Sequence, residues 1–163
     1  MRKRKWLNLI LILNVLLILM VFLVGGALVL GKYPFLAGAD YSLRAVGYSM
    51  LPVERTGDMV LVKKGTGDIQ VGDVICFWSD RYSELIGHRV TDIQIYPNTM
   101  FKTKGDANKF SDGWILASSV VGKETLTIPF GFFIARNAIC FLIGIGLITL
   151  LLTLLFYSLK AHY

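Results

Sequence analysis

With 163 residues the chain has room for one ordinary folded domain beside membrane segments, and not for two such domains. Its apolar share of 55% exceeds that of an ordinary soluble domain, and the excess is gathered near the two ends. The net charge of +6 does not mark a nucleic-acid partner: Arg2, Lys3, Arg4 and Lys5 precede the first apolar run, Arg136 and Lys160 flank the second, and residues 32–131 carry 11 basic and 11 acidic side chains.

In chain order, residues 6–31 form a run of 26 without a charge. As a helix it is about 39 Å long, enough to cross a hydrocarbon layer of about 30 Å. It is too long for the apolar core of a cleaved signal peptide, and no A-x-A-like site follows it, so it reads as a signal anchor. Four basic residues directly before it keep the N-terminus (residues 1–5) in the cytoplasm. Residues 139–159 are a second uncharged run, of 21 residues. Backbone groups in lipid must pair within their own segment, so both runs are expected to be transmembrane helices, the second counted from 132 to 159. Residues 32–131 then lie outside the cell membrane, and the tail, residues 160–163, returns to the cytoplasm.

The outer segment consists of short apolar runs broken by Gly, Asp, Pro and Asn. Met59-Val-Leu-Val62 is one expected strand. Val74-Ile-Cys-Phe-Trp78 is another, apolar throughout, as expected of a strand buried on both faces. A β-branched strand is expected over 89–96, and others over 100–104 and 120–128. Gly-Asp pairs at 57–58, 72–73 and 105–106 read as turns at strand edges. The fold class expected is a mostly β extracytoplasmic domain, a small barrel or folded sheet, flanked by one transmembrane helix at each end. Phe130, Phe132 and Phe133 lead into the second helix, either as its start or as an apolar surface against lipid. Cys76 and Cys140 fall in different segments, which predicts no disulfide between them, and no paired Cys/His spacing calls for a metal. No cofactor is implied.

Four features carry chemistry. Ser49 lies in Gly47-Tyr-Ser-Met-Leu-Pro52. His88 lies in Gly87-His-Arg-Val90 and is the one histidine of the outer segment, the other being His162 in the tail. Asp106 stands in Thr103-Lys-Gly-Asp-Ala-Asn108, and Asp112 six residues on. Each alone reads as a turn or structural residue. Together they supply a nucleophile, a base that takes its proton, and carboxylates able to fix the imidazole tautomer.

These motifs resemble, in order, the boxes of type I signal peptidases: Gly-Tyr-Ser-Met-Leu-Pro the nucleophile box, Asp73-Val-Ile and Gly-His-Arg-Val those that follow, and Thr-Lys-Gly-Asp-Ala-Asn-Lys-Phe-Ser-Asp112 the last. A histidine where the common bacterial subgroup has lysine resembles the serine–histidine subgroup of the endoplasmic reticulum, archaea and some Gram-positive, often spore-forming, bacteria. The resemblance implies a signal-peptidase-like fold and a membrane-bound serine endopeptidase. Its partners would be the signal peptides of secreted precursors and the lipid bilayer. Ser49 would be the nucleophile and His88 the base, with Asp112 favoured as the histidine's partner and Asp106 as a residue shaping the site. The Ser49 N–H is one candidate oxyanion donor; relatives of the lysine type can add a serine hydroxyl two residues earlier, where this chain has Gly47. Val46, Met50, Ile86 and Val90 are apolar neighbours of these residues, open to two readings, pocket walls for small substrate side chains or ordinary core.

Two other classes compete. A sortase-like cysteine transpeptidase would use Cys76, His88 and Arg89, but Cys76 lies within an apolar run and precedes the histidine, the reverse of sortase order. A non-catalytic membrane-anchored β domain that binds a partner would not need Ser49, His88 and the two aspartates together.

Overall fold

The computed structural model describes residues 2–161; Met1, His162 and Tyr163, and with them most of the expected tail, lie outside the described residues. The chain divides into two units, one holding the helical ends and the other residues 29–133.

The helices are α1, Arg2–Lys32, which runs four residues into the second unit, the short α2, Gly131–Arg136, which crosses the boundary, and α3, Ala138–Ala161. Asn8–Lys32 and Ala138–Ala161 are each long and apolar enough to cross a membrane. Both are apolar all round: Leu11, Phe22 and Leu23 on α1 and Leu147, Leu151 and Leu154 on α3 are exposed. Asn14 and Thr153 bond within their own helices, to the Ile10 and Thr149 carbonyls. The long apolar helix α3 begins at Ala138, after the break at Asn137 that separates it from α2.

The other unit is a half-barrel sheet of seven strands: β1 Tyr41–Arg44, β2 Met59–Lys64, β3 Val74–Ser79, β4 Glu84–Gln94, β5 Met100–Lys104, β6 Gly113–Leu116 and β7 Val120–Ile128. Their order is β1-β2-β7-β3-β4-β5-β6, and every pairing is antiparallel. The central strand β3 is buried on both faces at Ile75, Cys76 and Phe77, as its unbroken apolar run predicts. On one face Ile75, Phe77, Val90, Phe101 and Ile69 form a core; on the other, Val60, Val62 and Cys76 form a second, with Leu43, Ala45 and Val121 packed against it.

Two features differ from expectation. The four-residue strands β1 and β6 were not visible as apolar runs. The fourth strand begins at Glu84 and ends at Gln94, rather than spanning 89–96, so Gly87 and His88 lie inside it. Glycine weakens a strand, but a Cβ at Gly87 would stand 2.7 Å from the Glu124 carboxyl and 3.8 Å from the Cys76 sulfur. The residue is glycine because a side chain from β7 occupies its place.

Pairing along β4 is uneven. Its first half, Glu84 to Gly87, pairs with β3 only, because β5 joins from Arg89 onward. This leaves one edge of that half open. β1 is likewise an outer strand, paired only with β2.

Candidate active site

Ser49 stands on the loop between β1 and β2. Asp58, itself buried, fixes the base of that loop: its carboxylate accepts from the N–H of Arg55 and of Phe130, each at 2.8 Å. The Thr56 hydroxyl closes the neck, accepting from the Gly47 N–H and donating to the Gly47 carbonyl, both at 2.9 Å. A turn follows the serine, closed by the Glu54 N–H on the Met50 carbonyl at 3.0 Å. Met50 is buried.

His88 is 5% exposed, on the face of β4 that carries Ile86 and Val90, with its ring edge-on to Phe77. Its Nδ1 lies 2.6 Å from Oδ2 of Asp112. The same oxygen accepts from the Thr103 hydroxyl at 2.9 Å, and the Asp112 N–H donates to the Thr103 carbonyl at 2.9 Å. Thr103, fully buried on β5, thus holds the aspartate by main chain and side chain. A carboxylate there favours a proton on Nδ1 and leaves Nε2 as an acceptor.

The direction of Nε2 is given by Gly105. A Cβ on that residue would stand 2.9 Å from Nε2 of His88, 2.7 Å from the Ser49 carbonyl and 2.7 Å from Nδ2 of Asn108. The absent side chain leaves room where the imidazole, the serine loop and Asn108 converge. The Ala107 N–H donates to the Ser49 carbonyl at 2.8 Å and ties the two loops together. Asn108 belongs to the last motif, but nothing in its sequence context singled it out.

Asp106 faces elsewhere. It takes both arms of Arg89, Nε at 2.8 Å and Nη2 at 2.6 Å, while Nη1 of Arg89 donates to the Gly72 carbonyl at 2.7 Å. The hydrogen bonds from Arg89 hold the Asp106 carboxyl below its ordinary pKa. Burial would raise the pKa of Asp73, but the bond to Lys123 at 2.8 Å and that from the Gln70 N–H bring it below the ordinary value.

Ser49, His88 and Asp112 line one cleft of 640 Å³, together with Val46, Met50, Ile86, Asn108, Glu54 and Glu124. Val90 does not line it: at 1% exposure it packs with Ile69, Ile75, Phe77 and Phe101, two residues deeper along β4 than His88. Cys76 is buried, and its thiol donates to Oε1 of Glu124 at 3.3 Å. Burial and the neighbouring Glu124 push its pKa far up, away from the thiolate that a cysteine nucleophile needs.

No protein-family model matches the chain. It is similar to signal peptidase I W of Bacillus subtilis (strain 168), with 41% identity over 76 residues, covering 44% of this chain and 40% of that protein. The chain thus spans well under half the length of the curated relative it matches. This partial match supports kinship with type I signal peptidases.

Proposed function

We propose that the chain is a membrane-bound serine endopeptidase of the type I signal peptidase class, serine–histidine subgroup, which removes signal peptides from exported precursors at the outer membrane surface. The observation that carries this reading is the 2.6 Å contact between His88 and Asp112 in a cleft that also holds Ser49. Ser49 attacks the scissile carbonyl. His88 takes the serine proton at Nε2 and later returns it to the leaving amine, while Asp112 stabilises the imidazolium formed between these steps. The Ser49 N–H, without an acceptor among the described residues, is free to donate to the oxyanion.

An extended substrate has two strand edges to pair with, β1 and the open half of β4, and both border the cleft through Leu43, Arg44, Leu85 and Gly87. Val46, Met50 and Ile86 would then meet its side chains and exclude large ones. The basic N-terminus places the first helix with its start in the cytoplasm, which puts the β domain where signal peptides emerge. The buried, hydrogen-bonded thiol of Cys76 counts against the transpeptidase alternative.

The test is incubation of the purified full chain, in detergent or liposomes, with a secretory precursor. Wild type should release the signal peptide, and Ser49→Ala, folded and inserted, should not. Cleavage by that variant at the wild-type rate would refute the assignment.

A further inference from the structure

One pair of ionisable groups is not used by this mechanism. Glu54 is 7% exposed and lies five residues after Ser49, on the turn that closes the nucleophile loop. Glu124 lies near the middle of β7, opposite Val62 of β2. Both line the cleft that holds Ser49 and His88; Oε1 of Glu124 accepts from the Cys76 thiol, and its Oε2 is buried without a hydrogen-bond partner among the described residues. Two carboxylates buried in contact cannot both be charged at moderate cost. With both ionised, Oε2 of Glu124 is buried without any donor. A proton on the pair lets one carboxyl donate to the other.

The surroundings do not neutralise the pair in another way. The ionisable groups acting on Glu124 are Glu54 on the loop, Cys76 on β3 and Arg89 on β4. Arg89 is engaged by Asp106 and the Gly72 carbonyl, and Cys76 contributes a single thiol proton. Arg44 of β1, which lies over the Phe132 ring, and Arg55 of the loop line the same cleft but are not among the groups that set the Glu124 pKa, and β1 and β2 also present Leu43, Val60 and Val62 on this face. Burial first, and then the bond and charge of Glu54, raise the Glu124 pKa to about 9. A proton therefore stays on Glu124 through neutral pH and leaves as the pH rises toward that value.

We propose that the proton shared by Glu54 and Glu124 is a positioning device, holding the Ser49 loop to the sheet in register with His88. The inference rests on the assignment of Ser49 and His88 above. Glu54 ends the loop that begins at Gly47, and Glu124 belongs to the strand next to β3, which in turn pairs with β4 and His88. Loss of the proton sets the buried Glu54 carboxylate against the half-buried Glu124 and pushes the loop from the sheet. Ser49 is drawn away from Nε2, and cleavage slows without a change in the charge of His88.

Two measurements on the full chain in detergent test this. The first needs no catalysis: with ¹³C-labelled glutamate and ¹⁵N-labelled backbone, NMR should show one carboxyl titrating on the alkaline side, and the Ser49 and Met50 amides should move with the same midpoint. In Glu124→Gln the amide donates to Glu54 at every pH, so both movements should vanish. The second is the pH profile of precursor cleavage. Wild type should lose kcat on the alkaline side with that midpoint at nearly constant KM, and Glu124→Gln should shift or abolish that limb. Glu54→Ala should lower kcat about tenfold at neutral pH with KM little changed, as expected for a misplaced nucleophile. Should Glu54→Ala fail to fold, the Glu124→Gln profile decides. A Glu124→Gln profile that superimposes on wild type, or loop amides indifferent to the carboxyl titration, would overturn the proposal. If no precursor is cleaved, the protease assignment fails while the NMR measurement still reports on the pair.

Discussion

Asp112→Asn is the perturbation that most sharply separates the two aspartates. Oδ2 of Asp112 serves two donors, Nδ1 of His88 at 2.6 Å and the Thr103 hydroxyl at 2.9 Å. Asparagine keeps the size and removes the charge that stabilises the imidazolium. If its Nδ2 takes the place of Oδ2, it donates to Nδ1, the ring proton moves to Nε2, and His88 can no longer accept from Ser49. In a well-studied serine–histidine–aspartate triad this exchange costs about four orders of magnitude in rate. Thr103 modifies that figure here, because its hydroxyl, when donating, favours the asparagine oxygen in the shared position and so preserves the productive tautomer. The expected loss in kcat is between about 10³- and 10⁴-fold, or roughly 4–5.5 kcal/mol of transition-state stabilisation. Adding Thr103→Val should move the double variant to the upper end of that range.

Asp106→Asn should be milder, about tenfold or less, because it loosens a clamp and leaves the imidazole partner in place. Asparagine offers one acceptor where Arg89 found two, yet Arg89 keeps its bond to Gly72. The assay is single-turnover cleavage of one precursor by both variants, with folding of the β domain checked by protease resistance. A folded Asp112→Asn at near wild-type rate beside a folded but inactive Asp106→Asn would refute the reasoning and make Asp106 the partner of His88.

Gly105→Ala places a Cβ 2.7 Å from the Ser49 carbonyl and 2.9 Å from Nε2 of His88, so one of them must move; about 100-fold loss of kcat is expected in a folded protein, and full activity would mean the convergence is not catalytic. With Cys76 and Cys140 replaced, Asn98→Cys should react with a membrane-impermeant reagent from outside and Lys5→Cys should not; the reverse pattern would put the β domain in the cytoplasm. The Asp106 carboxyl is held below its ordinary pKa by Arg89, so its stabilising contribution is complete above the unfolded value of about 4 and is lost as pH falls through the lower folded value. Thermal unfolding of the full chain in detergent should therefore show a smaller acid-side decline in Asp106→Asn than in wild type.

What could be read from sequence follows from how locally each element is specified. β2, β3, β5 and β7 each carry enough apolar or β-branched residues to be expected from sequence, and each appears over or around its expected range. β1 and β6 carry four residues each, too few to show a period, and exist because neighbours supply their pairing. Gly87 obscured the first half of β4, since a glycine inside a strand reads as its end unless the side chain filling its space is known. Ser49, His88 and Asp112 were legible as candidates from motif order, and the structure gathers them around one cleft. Val90 was ambiguous because His88 and Val90 share a face of β4, and only depth separates cleft from core.

The Glu54–Glu124 pair shows where sequence reading ends. Seventy residues separate the two, and each stands beside a basic neighbour, Arg55 or Lys123, so each resembles an ordinary solvated charge. Their meeting depends on the loop after β1 turning back, so that Glu54 and Glu124 line one cleft with Gly87 of the open half of β4, and that half is open only because β5 begins to pair at Arg89. The shortfall in pairing leaves an unpaired strand edge in the cleft that also holds the serine loop. A cleft built this way needs something other than strand pairing to fix the loop. Asp58 and Thr56 fix its base through the main chain. Just before the neck at Thr56 the loop is held at Glu54, where the contact depends on a proton, which is why pH, rather than any change in packing, is the variable that should separate loop position from the chemistry of His88.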